Sequence, residues 1–316
     1  MYDVVLGIDI GGTFTKYGFV DFEGEILDED SIPTDNHNDI NLFIHDLKEA
    51  VEKKMPRGEY NIKGVGIGAP NGNYYNGTIE FAPNLKWKGV INLSQLFQSA
   101  FGVPAVVTND ANAAAMGEML YGGAREMKNF IMITLGTGLG SGIVANGQMI
   151  YGHDGFAGEL GHVIVDPEGR KCGCGRRGCL ETYVSVTGIE RTVFEMLGRE
   201  TEPSDLRNYS FNELDAIMIS KAAMDGDKLA KKAFDETGRI LGLKLADAMA
   251  HTSPEAIFLF GGLAGAGDLI LKPTQKYFEK YLLPVYRGKT TIRLSALQGK
   301  NIAVLGAAAL MWNELS

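Results

Sequence analysis

The chain has 316 residues, 45% hydrophobic and 22% charged, the composition of an ordinary globular protein with room for one large domain or two lobes. Its formal net charge of −9, with a pI near 5.2, repels phosphate backbones and anionic membranes and argues against nucleic acid as a partner. No apolar stretch reaches the ~18 residues of a membrane span, and Met1 leads into Asp3-Val4-Val5-Leu6-Gly7-Ile8-Asp9 without the basic start and longer apolar run of a secretory signal, so a cytoplasmic protein is expected.

In chain order, Val4–Asp9 predicts a strand, Gly11-Gly12-Thr13 a turn and Lys16–Val20 a returning strand. A helix is predicted over Asn41–Lys53, strands over Ile62–Ile67 and Ala105–Thr108, and a helix over Ala111–Leu120. Phe130–Leu135, Gly136-Thr137-Gly138 and Ser141–Ala145 repeat the design of the first hairpin, which implies two related lobes. The polar stretch Arg199–Tyr209 reads as a loop, and Ser210-Phe211-Asn212-Glu213 has the form of a capping box. Ala230, Phe234, Leu241, Leu245 and Met249 recur at helical spacing before a strand over Ala256–Phe260, and a last helix spans roughly Ile302–Leu315. Alternating strands and helices predict an α/β architecture of sheets flanked by helices.

A glycine-rich turn between apolar strands can bring backbone N–H groups close to an anion, because glycine accepts unusual backbone angles and has no side chain in the way. Asp9-Ile10-Gly11-Gly12-Thr13 adds a carboxylate able to hold Mg²⁺ through water, a hydroxyl donor, and Lys16 beyond as a charge partner. Gly136-Thr137-Gly138 offers a second cradle, and Gly261-Gly262, after the apolar run Ile257–Phe260, offers a flat surface for an adenine or ribose. Any one of these is as readily a plain tight turn; two in matched strand context favour polyphosphate. Two familiar nucleotide motifs are excluded. Gly173-Cys174-Gly175-Arg176-Arg177-Gly178 fits the dinucleotide pattern but follows no strand, and Leu283 stands where the leading glycine of a P-loop ending in Gly288-Lys289-Thr290 belongs.

All three cysteines fall between Cys172 and Cys179, an odd and crowded set that suits a metal in a reducing compartment better than a disulfide framework. With His162 they make three sulfur ligands and one imidazole, enough for a closed tetrahedral Zn²⁺ site that leaves no position for water and is therefore structural. Buried or redox-active thiols are the alternative. Glu159 and Glu181 bracket this loop, and carboxylates beside an imidazole suit a polyhydroxylated ligand. Asp110 falls where a strand passes into a helix, the ligand-binding edge of open α/β sheets, although position alone favours a helix cap.

In this order, Asp9-Ile10-Gly11-Gly12-Thr13, Asn109-Asp110, Leu135-Gly136-Thr137-Gly138, Glu159-Leu160-Gly161-His162 and Cys172-x-Cys174-Gly175-x-x-Gly178-Cys179-x-Glu181 resemble the ROK family of sugar kinases and repressors, in particular its bacterial glucokinases. The resemblance runs from residue 9 to the final helix. It implies an α/β, actin/hexokinase-type (ribonuclease H-like) fold of two lobes with ATP and a hexose in a cleft between them. It further implies Asp110 as general base acting on the 6-hydroxyl of glucose, Asn109, Glu159, His162 and Glu181 as sugar contacts, zinc on His162, Cys172, Cys174 and Cys179, and a homodimer. The lobes are expected at 1–118 with 300–316, and at 119–299. Ala69-Pro70-Asn71-Gly72 resembles the family's sugar-side loop, with asparagine at 71 where many members carry glycine. Other hexoses, among them fructose, mannose, N-acetylglucosamine and N-acetylmannosamine, are the alternatives to glucose. A sugar-responsive repressor is disfavoured, since only eight residues precede Asp9 where a DNA-binding domain would stand.

Overall fold

Val4, Val5, Leu6 and Ile8 of β1 (Tyr2–Ile10) are fully buried, the continuous apolar run of a strand covered on both faces. In the computed structural model, which describes residues 2–55 and 59–316, β1 is the centre of a five-stranded sheet. It pairs antiparallel with β2 (Phe14–Val20), which pairs with β3 (Ile26–Pro33), and on its other side runs parallel to β4 (Tyr60–Gly68). A three-stranded sheet of β5 (Gly72–Asn73), β6 (Thr78–Glu80) and β7 (Val90–Ile91) follows, and β8 (Ala105–Thr108) then completes the main sheet, in the order β3-β2-β1-β4-β8. Helices α1 (Ile40–Lys54) and α2 (Leu93–Phe101) bury Phe43, Leu47 and Phe97 against one face.

The other face is covered by α3 (Asp110–Tyr121) and by the last helix, α8 (Ile302–Leu315). Small residues make this contact close: a Cβ on Gly66 would lie 1.8 Å from the carbonyl oxygen of Ala307, and one on Gly7 would lie 2.3 Å from that of Val304. The expected final helix therefore forms over Ile302–Leu315, its apolar composition explained by burial on nearly every side.

A second sheet repeats the pattern. β9 (Phe130–Leu135) and β10 (Leu139–Ala145) form an antiparallel hairpin, with β11 (Gln148–Met149) following in sequence. Beyond α4 (Val186–Arg199), α5 (Ala216–Met224) and α6 (Lys228–Thr252), β12 (Ala256–Phe260) runs parallel to β9, and after α7 (Asp268–Tyr281) β13 (Thr291–Leu294) runs parallel to β12. The order β10-β9-β12-β13 matches β2-β1-β4-β8 strand for strand in direction, so the repeated hairpin marks a repeated sheet. Ala230, Phe234, Leu241, Leu245 and Met249 are all buried on α6.

The chain packs as two compact units, residues 1–127 with 148–158 and 299–316, and residues 128–147 with 159–298. The first break comes later than the expected 118/119 because α3 runs on to Tyr121 and Glu118, fully buried, accepts from Gly123 N at 2.8 Å. The segment 148–158 returns to the first unit, where buried Asn73 donates to the carbonyl of Asp154 at 2.8 Å. The capping box needs correction as well. Glu213 does accept from Ser210 N at 2.8 Å, but the segment is a turn, and α5 starts at Ala216 under an Asp215 cap.

Candidate active site and metal centre

In the first unit, the parallel strands bring three chain segments side by side. Asp9 stands opposite Gly68, and Gly68 opposite Thr108, so the carboxyl ends of β1, β4 and β8 form one row. Asn109 leaves β8 and caps α3, its Oδ1 accepting from Asn112 N at 2.7 Å, and this cap points Asp110 away as the first helical residue. The sequence left Asp110 open as a cap; the cap is Asn109. Gly68 packs against the start of α3, where a Cβ would lie 3.3 Å from the Cβ of Ala113.

Burial raises the pKa of Asp9 to about 6, with the negative charge of Asp110 adding and Lys16 opposing. Lys16 is the cross-strand partner of Asp9 in the hairpin. Desolvation raises Asp110 too, against the N–H of Ala111, which donates to its Oδ1 at 2.8 Å. Asp110 is nonetheless exposed to water, which limits this rise. Two carboxyls that ionise reluctantly beside one another are the chemistry of a proton-accepting or cation-holding site.

The first glycine turn is tight for a reason the sequence argument did not name. Neither Gly11 nor Gly12 takes a left-handed φ; a Cβ on either would meet a carbonyl at 2.8 Å, that of Phe14 or of Asn84. Close approach, rather than backbone angle, demands glycine here. Thr13, exposed, accepts through its carbonyl from Thr34 N at 2.8 Å. Asn71, by contrast, does sit at φ 53°, a conformation asparagine tolerates, and its Nδ2 donates to the carbonyl of Glu80 at 2.9 Å. Gly72 follows, pressed against the Thr108 carbonyl beside Asn109.

In the second unit, Gly136-Thr137-Gly138 joins β9 to β10, and Gly261 lies against Leu135 at the end of the neighbouring strand β12. Gly261 has φ 102°, so only glycine fits there without strain. Gly262 abuts Val186 at the start of α4. Val186 N donates to the Gly136 carbonyl at 2.9 Å, and Thr187 Oγ1 to the Thr137 carbonyl at 2.9 Å. The N-terminus of α4, capped by Ser185, is thus part of this site. The sequence reading missed it, although Ser185-Val186-Thr187-Gly188 has the composition of a helix start.

The metal-ligand candidates converge. One ligand atom from each of His162, Cys172, Cys174 and Cys179 falls in a group no wider than 4.8 Å. Cys174 Sγ lies 3.6 Å from Cys179 Sγ, and Cys172 Sγ 3.7 Å from His162 Nδ1, separations close to those between ligands around a tetrahedral Zn²⁺ with bonds of about 2.0–2.3 Å. Burial opposes ionisation of Cys174, but the backbone N–H and guanidinium of Arg176 outweigh it and lower that thiol to about 6. Burial pushes Cys172 and Cys179 up, a cost a bound cation would reverse. The donor set fits a closed zinc site.

His162 turns Nδ1 toward the cysteines and Nε2 toward Glu159, whose Oε2 is 4.0 Å away. Glu181 lies between the metal group and the glycine turn. Its Oε1 accepts from Cys172 Sγ at 2.9 Å, and its Oε2 is 2.6 Å from where a Cβ on Gly138 would be. Glu159, His162, Glu181 and the second glycine turn are therefore one cluster, as Asp9, Lys16, Asn109, Asp110 and the first turn are another.

The chain is similar to known proteins along nearly its whole length. Residues 5–314 match the model of the ROK family. A glucokinase of Halalkalibacterium halodurans is 36% identical over 97% of this chain and 94% of its own length. A putative xylose repressor of a Caldicellulosiruptor species is 30% identical over 99% of this chain and 79% of its own. Among solved structures, a ROK family glucokinase from Streptomyces griseus, determined with glucose and AMPPNP, superposes with a TM-score of 0.82 at 34% identity, covering 97% of this chain and 98% of that one. The chain belongs to the ROK family, and its fold is the two-lobed α/β type of actin and hexokinase. No helix among the described residues is long and apolar enough to cross a membrane.

Proposed function

We propose that the chain is a cytoplasmic, ATP-dependent hexose kinase that phosphorylates the 6-hydroxyl of glucose and works as a homodimer. The observation that carries this reading is Asp110, held beyond a strand end by the Asn109 cap and beside Asp9 and the first glycine turn. In the reaction the sugar's O6 attacks the γ-phosphorus, its proton passes to Asp110, and the bond to the bridging oxygen breaks to release ADP. Asn109, Glu159, His162 and Glu181 bind and orient the hexose through its hydroxyls, which positions O6 for attack. Backbone N–H groups of Gly11, Gly12, Thr13, Gly136, Thr137 and Gly138 cradle the phosphates, with Lys16 a charge partner and Gly261-Gly262 beneath the nucleoside. Asp9 would hold Mg²⁺, which would supply neutralisation of phosphate charge. His162, Cys172, Cys174 and Cys179 would hold Zn²⁺ as a structural ion, which would order the segment next to Glu181.

The glucokinase relatives and the glucose complex of the Streptomyces griseus protein support glucose over the other hexoses. The test is ADP release over glucose, fructose, mannose, N-acetylglucosamine and N-acetylmannosamine, for the wild type and Asp110→Asn. Glucose is expected to be the best substrate, with the variant slower by about 10²–10⁴ at unchanged zinc content. Turnover of none of these sugars would remove the kinase reading, and a variant at wild-type rate would remove the assigned base.

A further inference from the structure

Arg170 stands two residues before the first cysteine and has no part in the site as described so far. Its side chain is only 11% exposed, and its charge lies against the carboxylate of Glu195 on α4. A guanidinium carries five N–H donors, and five acceptors meet them. Nε and Nη2 donate to the two oxygens of Glu195 at 2.9 and 2.8 Å; Nη2 also donates to Thr192 Oγ1 at 3.0 Å, and Nη1 to the carbonyls of Thr182 at 2.6 Å and Gly188 at 3.1 Å. The guanidinium also lies 4.5 Å over the ring of Tyr183, whose hydroxyl accepts from Arg170 N.

These partners belong to two segments. Thr182 follows Glu181 directly. Gly188, Thr192 and Glu195 belong to α4, whose first residues hold the Gly136-Thr137 turn. The backbone of Arg170 is itself the first rung of the metal loop, its carbonyl accepting from Gly178 N at 2.8 Å. A fully satisfied, charge-assisted network around a buried guanidinium fixes geometry, because moving that group leaves desolvated donors behind, while Glu195, 48% exposed, stays within reach of water.

We infer that Arg170 is a positioning residue that fastens the metal loop, and Glu181 with it, to the helix that supports the second glycine turn. The inference rests on the reading of Glu181 as a sugar contact and of the cysteines as zinc ligands. A lysine in its place offers a point charge with three donors and no fork, so it cannot reproduce the arrangement.

The test compares wild type, Arg170→Ala, Arg170→Lys and Glu195→Gln in two assays on the purified zinc-loaded protein: the rate at which a colorimetric chelator strips zinc, and steady-state kinetics with sugar and ATP varied separately. Arg170→Ala is expected to release zinc faster and to raise the sugar KM by about 10–100-fold, the range for residues that support a metal's ligands, with the ATP KM within about twofold. Arg170→Lys should fail to restore either value, and Glu195→Gln should fall between. Variants with a lowered melting temperature but wild-type zinc release and sugar KM would overturn the inference, leaving Arg170 an ordinary stabilising residue. Should Arg170→Ala not fold, Glu195→Gln decides by the same two readouts. A wild type that phosphorylates no hexose defeats the kinase reading, and zinc release then decides the place of Arg170 by itself.

Discussion

At Asp9 and Asp110 the protein holds two carboxyls whose surroundings disfavour charge, and both must ionise for the proposed chemistry. As pH falls toward the raised pKa of Asp9, about 6, the carboxylate that would hold Mg²⁺ is protonated, and Asp110, raised by the same desolvation, loses its capacity to accept a proton. The pH profile of kcat/KM for the sugar should therefore fall on its acid side near pH 6, well above an ordinary aspartate; a profile flat down to pH 4.5 would contradict this. The same shift has a consequence for stability with the opposite sense. An acid whose pKa is raised by folding favours the folded state when protonated, so the contribution is present below about pH 4 and lost as pH rises through about 6. Asp9→Asn removes that loss. Thermal melts should show it more stable than wild type at pH 7–8, by about 1–3 kcal/mol, with the gap closing below pH 4.

At the scale of elements, most of the fold was legible because local signals and burial agree. The hairpins over Val4–Val20 and Phe130–Ala145, the strand over Ala105–Thr108 and the final helix all form where apolar runs and glycines marked them. The illegible parts depend on contacts between distant residues. Ser210 and Glu213 pair as a capping box would, yet nothing local tells that Asp215 caps the helix instead. The glycines of the first turn are expected from backbone angles and from room for an anion, whereas Asn84, 72 residues on, is what forbids a side chain at Gly12. Val186 and Thr187 join the second turn through a contact between distant segments that is invisible in sequence. Gly138 belongs to the same category. A methyl group there meets only the mobile end of Glu181, which can swing aside, so Gly138→Ala should melt within about 1 kcal/mol of wild type. Its displaced carboxylate should nevertheless raise the sugar KM about tenfold or more. An unchanged sugar KM would mean that Glu181 does not grip the substrate.

For the whole molecule, the repeated sheet, the converging cysteines and the carboxyls at the strand ends describe a protein whose proposed chemistry follows strand direction and whose second unit carries a His/Cys group able to hold a metal. Removal of zinc with a chelator is expected to abolish hexose phosphorylation and to lower the melting temperature, and added zinc to restore both; full activity in zinc-free protein would deny the metal its structural role. The most direct measurement is product identity, read by phosphorus and proton NMR after incubation with glucose and Mg·ATP. The account predicts a phosphate ester on carbon 6, formed one-for-one with ADP, and its disappearance in Asp110→Asn. ADP accumulating without any sugar ester, or an ester on another hydroxyl, would contradict it.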